Sequence, residues 1–245
     1  MEKFKLDRYF DYLTSGEVLS NIPIKNEIPN FKEFMKLYKS KIKKATQVWQ
    51  LLKLTTNSEI YTIPYVLPGG EVFNFEWSID KINNVIKKRD RIINSYNKNY
   101  MGYKERYKID LLLGGGGEKV STDFIEMTFN LNELIQKINE HNINKCYAMK
   151  RTENNKPIIC LDFTYFSPSE PPIMIVDGNH RCFGKYKAGK KTIDGYILGQ
   201  NLWIHGLLTE LDTIFIKVII NISVMKLYMI GLINERELEQ RLYYI

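Results

Sequence analysis

Apolar positions along the chain recur with two periods. Across residues 30–54, Phe34, Tyr38, Ile42, Ala45, Trp49 and Leu52 fall three or four places apart, as on a helix with one buried face. Lys32, Lys36, Lys39, Lys43 and Lys44 take the remaining surface. Residues 61–67 and 71–77 are β-prone runs flanking Pro68-Gly69-Gly70, which predicts a hairpin. Ser78 then caps a second helix bearing Ile79, Ile82, Ile86, Ile93 and Tyr96, with Lys87, Lys88, Arg89 and Arg91 on its other face. A basic, tyrosine-rich segment follows at 98–108; it reads as a solvated surface loop, or as a track for a nucleic-acid backbone with stacking tyrosines.

Gly114 to Gly117 interrupt this pattern. Four glycines are costly to hold in a regular element, so the run predicts a linker and a domain boundary. Glu118-Lys119 follows it, but the spacing is not that of a P-loop. Beyond the glycines, short strands alternate with helices. Strands are expected at 124–129, 147–150, 158–163, 173–176 and 192–198, with a helix capped by Asn130 that ends near His141 and another over 183–188 stopped by Gly189. Residues 164–172 form a proline- and serine-rich loop. From Leu202, Leu207, Leu208, Leu211, Phe215, Val218, Ile222 and Met225 keep helical spacing; Gly231 ends that helix, and Asn234 with Glu237 forms a capping box for a terminal one. Acidic residues Glu235, Glu237 and Glu239 on the last helix argue against a DNA-reading pair of helices. The expected fold class is α+β, organised as 1–113 (basic helices and hairpin), 114–200 (mixed sheet with helices) and 201–245 (C-terminal helices packing on the core).

Composition adds three constraints. With 245 residues, 44% hydrophobic and 26% charged, the chain can bury a proper core. The net charge of +7 suits an anionic partner, although a Lys/Ile/Asn-rich chain is also what AT-rich coding sequence produces. Three cysteines without a CxxC pair, and three histidines without zinc-ligand spacing, fit a reduced cytoplasmic compartment and no clustered metal site. No signal peptide is legible at the first residues. The most apolar stretch, 214–233, is interrupted by Lys217, Asn221 and Lys226, so a buried helix is expected there rather than a membrane span.

The candidate chemistry lies at Asp177-Gly178-Asn179-His180-Arg181, between an apolar strand and a helix. A strand that gives way to a helix through Asp-Gly leaves backbone N–H groups aimed outward, with the helix dipole behind them, and so forms an anion site. Gly178 permits a backbone conformation closed to other residues and allows close approach. Asn179 tolerates similar geometry and offers an amide; His180 can donate to a phosphate; Arg181 supplies a planar, permanently charged fork. Asp177 beside an anion site suits a base on an attacking hydroxyl, or a magnesium ligand shared with phosphates. Lys190 or Lys191 could add positive charge. The plainer account is a common Asp-Gly turn with a structural histidine and Arg181 paired to a nearby carboxylate.

The segment from the strand at 173–176 through Asp177-Gly178-Asn179-His180-Arg181 to Ala188, with Pro157-Ile158-Ile159 upstream, resembles the ParB/sulfiredoxin-like superfamily; the likeness extends over roughly 124–198. Sulfiredoxins place their catalytic cysteine immediately before the His-Arg pair, where this chain has Asn179, and Cys182 lies on the wrong side of Arg181 to replace it. ParB partition proteins follow the loop with a DNA-reading helical domain, which is not legible here. The Asp-Gly-x-His-Arg branch, which includes free-serine kinases and DNA-modification regulators, implies Asp177 as base and the His180-Arg181 side as phosphate holder. Glu126 is a candidate second acid.

The resemblance implies a nucleotide-binding enzyme that hydrolyses a nucleoside triphosphate (ATP or CTP) or transfers its phosphate, with Mg2+ held partly by Asp177. The phosphate contacts would come from Gly178, Asn179, His180, Arg181 and Lys190. The alternative is a DNA-acting protein, either a ParB-like nuclease or a non-catalytic regulator, with Arg181 on a backbone phosphate and the basic helices at 32–44 and 81–91 on the duplex. A third reading is an interaction module of a phage or mobile-element conflict system. No membrane partner is expected, and oligomerisation is left open.

Overall fold

The computed structural model describes residues 8, 11–12, 23–52, 59–66, 72–97, 123–163 and 173–245. The Pro68-Gly69-Gly70 turn, the segment at 98–108, the glycine run 114–117 and the loop 164–172 lie outside the described residues. The chain divides into two compact units: one draws on Met1–Ile82, Tyr96–Gly102 and Ile204–Ile245, the other on Asn83–Ser95 and Tyr103–Trp203. The architecture is α+β.

In the first unit, α1 (Phe31–Leu52) buries Met35, Tyr38, Ile42 and Ala45, the face expected from their spacing, and exposes Lys36, Lys39, Lys43 and Lys44 between them. Strands β1 (Ile60–Val66) and β2 (Val72–Ser78) pair antiparallel with Ile63 opposite Phe75. Alternation along β2 buries Phe73, Phe75 and Trp77, and the rings of Phe73 and Phe75 meet Phe215 at 4.7 and 5.3 Å. Ser78 Oγ accepts from the N–H of Lys81 at the start of α2 (Ile79–Lys87), the expected cap.

The single helix expected to follow Ser78 is two. A break at Lys88, whose N–H is shared between the carbonyls of Asn84 and Val85, separates α2 from α3 (Arg89–Asn97). Its expected basic face is partly absorbed by packing: Arg89 lies 4.7 Å over the ring of Phe124 and donates to the carbonyl of Ile86.

The second unit is built on a four-stranded sheet in the order β3-β6-β4-β5. Strand β3 (Phe124–Asn130) pairs antiparallel with β6 (Thr192–Leu198), β6 runs parallel to β4 (Ile158–Asp162), and β4 pairs antiparallel with β5 (Ile173–Asp177). Ile158, Cys160, Ile175, Ile193 and Ile197 join Cys182 and Phe183 in one apolar core. After β3, Asn130 caps α4 (Leu131–Leu134), which continues as 3-10 turns at Ile135–Lys137 and Glu140–Asn142, so the helix expected as far as His141 is real only in its first turn.

Residues 147–150 are not a strand. Tyr147 to Met149 fall in α5 (Lys145–Met149) and Lys150 is its C-cap, because the Asn144 side chain accepts from the N–H of Tyr147 and nucleates a turn, and Ala148 is then buried to 0% exposure. The three apolar residues Tyr147, Ala148 and Met149 carry too little periodicity to outweigh such a cap.

The chain closes with α7 (Gln200–Trp203), α8 (Glu210–Met229) and α9 (Glu235–Arg241). Thr209 and Asp212 cap α8 reciprocally, and Asn234 with Glu237 caps α9 as expected. Asn221, which interrupts the apolar run, is wholly buried. Its amide donates to Tyr38 Oη (2.8 Å) and to the carbonyl of Tyr243 (2.9 Å), and it accepts the N–H of Tyr243 at 2.7 Å. Burial pushes the Tyr38 hydroxyl up to about 12, against the opposing pull of that bond. Among the described residues no helix is long and apolar enough to cross a membrane.

Candidate anion site at a strand-to-helix junction

Strand β5 is an edge strand, and its last residue is Asp177. Pairing with β4 slips by one residue there: Ile175 lies opposite Cys160, but Asp177 lies opposite Ile159. Gly178 follows with φ 112° and ψ 6°, in the left-handed region. A Cβ at this position would also stand 2.5 Å from Ile158 Cγ2 and 3.1 Å from Arg181 Nη2, so glycine is required twice over.

The left-handed residue ends the strand and starts the helix in one step. Helix α6 therefore spans Asn179–Lys187, four residues earlier than the 183–188 expected, and Asn179, His180 and Arg181 form its first turn. The first intrahelical bond runs from Cys182 N to Gly178 O at 2.9 Å. The N–H groups of Asn179, His180 and Arg181 precede it and have no partner among the described residues, and the cap supplies no side-chain acceptor. Three convergent donors at the positive end of a helix dipole can hold an oxyanion.

The Arg181 side chain is less exposed than that of Asp177, 11% against 28%. Its Nη2 donates to Asp177 Oδ2 at 3.2 Å and to the carbonyl of Pro157 at 3.1 Å. Its Nε is buried with no hydrogen-bond partner among the described residues. An unsatisfied buried donor costs about 1–3 kcal/mol.

The other side chains are not all free for a ligand. Asn179 turns back and donates its amide to the carbonyl of Ile175 at 3.3 Å. His180 Nε2 accepts the N–H of Asn144 at 3.1 Å, so while that bond stands this nitrogen carries no proton and Nδ1 is the donor of the ring. The imidazole stands edge-on to Tyr147 at 5.1 Å, and Tyr147 in turn carries the Arg151 guanidinium 4.7 Å over its ring.

Two expected participants lie elsewhere. Lys190 is exposed beyond the far end of α6, about 14 Å from its first turn at the 1.5 Å rise of a helix, and its N–H closes the helix on Lys185 O. Glu126 shares a row across the sheet with Asp177, through Tyr196 and Ile159, but on the opposite edge strand. Three strand spacings, about 14 Å, separate the two carboxylates. Neither residue belongs to this site.

Lys185 was not singled out from the sequence. It is buried to 8% exposure, one helical turn beyond Arg181, and donates to Asn155 Oδ1 at 2.9 Å. The i, i+4 spacing from Arg181 was the available signal. The two cations together fasten the segment before β4 to one face of α6. Gly184 lets α5 reach that helix: a Cβ there would strike the Ala148 carbonyl. Cys182 is fully buried, and burial pushes its thiol up to about 12, with Arg181 opposing, so it is no nucleophile near neutral pH.

Among the described residues no group of three or more His, Cys, Asp or Glu side chains is placed to hold a metal ion. No family model matches the chain, and no match is found among curated proteins or solved structures.

Proposed function

We propose that the junction of β5 and α6 binds the phosphates of a nucleotide, and that the protein hydrolyses a nucleoside triphosphate or transfers its terminal phosphate. The observation that carries this reading is the combination, at one strand-to-helix junction, of three first-turn N–H groups and a buried Arg181 Nε that lack partners among the described residues. Each alone has a bland explanation; together they put a fixed positive charge beside a helix N-terminus that already favours an oxyanion.

In this reading the backbone N–H groups of Asn179, His180 and Arg181 bind phosphate oxygens, and His180 adds its Nδ1–H. Arg181 contributes charge and orients Asp177 through the ion pair. Asp177 Oδ2 is engaged by Arg181, which leaves Oδ1 to take the proton of the acceptor hydroxyl or water. The acceptor oxygen bonds to phosphorus as the bond to the departing diphosphate breaks. One carboxylate suits a magnesium ion that arrives with the nucleotide and is held mainly by phosphates. This chemistry accords with the Asp-Gly-x-His-Arg branch of the ParB/sulfiredoxin-like superfamily, which is proposed on the same footing.

The Asp177–Arg181 pair favours a second reading, a binding module without turnover, because each side chain already satisfies the other. Titrating ATP, CTP and ADP, with magnesium, against wild type, Arg181→Ala and Asp177→Asn separates the two. The enzyme reading expects binding by wild type, at least tenfold weaker binding by Arg181→Ala, and binding without phosphate release by Asp177→Asn. Binding with no release in any protein favours the module. No binding of any nucleotide by wild type overturns both.

A further inference from the structure

Helix α1 carries six lysines and one acidic residue, Glu33, in its 22 residues. Four of them, Lys32, Lys36, Lys39 and Lys43, fall within an arc of about 60° at 100° per residue, and all are exposed. They form a straight row about 17 Å long with steps of about 4.5–6 Å. Lys32 and Lys36, and Lys39 and Lys43, are like-charged i, i+4 pairs, a spacing that destabilises a helix. Among the described residues the row makes one ion pair, Lys39 with Asp11 at 2.7 Å, whose side chains are both about 60% exposed, so it is readily exchanged for another anion.

We propose that this row binds the phosphodiester backbone of a nucleic acid without reading its bases. Charge complementarity selects the occupant: a polyanion with closely spaced phosphates relieves the repulsion along the row and releases its own counterions. The large apolar residues exposed on α1, Leu37 and Val48, lie more than 90° around the helix from the centre of the row, so the lysine face offers nothing to insert into a lipid surface. The second basic stretch is less suited. Lys81 Nζ is committed to the carbonyls of Leu207 and Leu208, and Arg89 to Phe124.

The test uses the full chain and fluorescence anisotropy with a labelled 30-base-pair DNA duplex and a single strand of the same length, across ~50–300 mM salt. Four lysine–phosphate contacts predict a log–log salt slope of about −3.6 on the duplex and about −2.8 on the single strand. Lys36→Ala/Lys43→Ala removes two contacts. It is expected to lower the slope by about half and the affinity by roughly fifty-fold at ~0.1 M salt, while Lys36→Arg/Lys43→Arg retains both. Alanine favours a helix at exposed positions, so loss of folding does not account for the loss of binding. The proposal is overturned by no binding of either oligonucleotide at ~50 mM salt, or by unchanged slope and affinity in the alanine variant. It is also overturned if phosphatidylserine vesicles bind the protein more tightly and carry the larger effect of the substitutions.

Discussion

The guanidinium of Arg181 reaches back one helical turn to the carboxylate of Asp177, Nη2 to Oδ2 at 3.2 Å, and ties the end of β5 to the first turn of α6. Removing Arg181 takes this partner from the Asp177 carboxylate, whereas removing Asp177 leaves Arg181 with the Pro157 carbonyl. Arg181→Ala should lower stability by about 2 kcal/mol, less than for a fully buried pair because Asp177 is partly solvated. Asp177→Asn keeps an acceptor for Arg181 and should cost less than about 1 kcal/mol. Urea unfolding of the two variants, read beside their nucleotide titrations, separates a lost grip from a lost fold.

Gly178 is the backbone switch of the junction. Gly178→Ala forces a side chain into φ 112° and against Ile158, so a loss of about 2–4 kcal/mol is expected. Gly189→Ala is the control. It also has positive φ, but a Cβ there meets nothing within 4 Å, so only the backbone cost of about 1–2 kcal/mol applies. Equal losses in the two variants would contradict the steric account of Gly178.

Asn221 fastens three parts of the first unit: α8, Tyr38 of α1 and the chain end at Tyr243. Asn221→Leu leaves the Tyr243 N–H and carbonyl without this partner in a dry interior and should destabilise by about 2–4 kcal/mol. Hydrogen exchange offers a second readout, since the amide of Tyr243 should lose its protection in the variant.

His205 is held below its ordinary value by burial and, secondarily, by Lys217. Between that depressed value and about 6.5 the unfolded chain binds more protons than the folded one, so stability rises with pH across the window and falls as pH drops through it. Melting temperatures from pH 7.5 down to 5 should therefore decline in wild type. The decline should be shallower in His205→Gln, and an identical slope in both proteins would remove His205 as the cause.

Where a fold is written in short-range periodicity it could be read directly. The buried face of α1, the hairpin of β1 and β2, the apolar runs of β4 and β5 and the two C-terminal capping signals each depend on residues within a turn or two of one another. The Asp-Gly turn was legible for the same reason. What local pattern hides is pairing at a distance. The Asn144 bond to His180, the burial of Lys185 on Asn155 and the three-way bonding of Asn221 join residues 22 to 183 positions apart. The strand expected at 147–150 failed because one capping side chain three residues upstream of Tyr147 decided the conformation. Glu126 illustrates another limit: membership of a sheet is readable from a strand pattern, but strand order is not.

The one-residue slip between β4 and β5 sets an extra residue, Val176, immediately before the acid of the site. In unbroken register the residue after Ile175 would lie opposite Ile159; here Asp177 does, so Val176 is left out of the ladder and Asp177 keeps the partner that a strand one residue shorter would give it. A chain lacking Val176 would present the same acid to the same neighbour, so the spacing between the apolar strand and the Asp-Gly-Asn-His-Arg motif can differ by one residue between two proteins without moving the carboxylate off its frame.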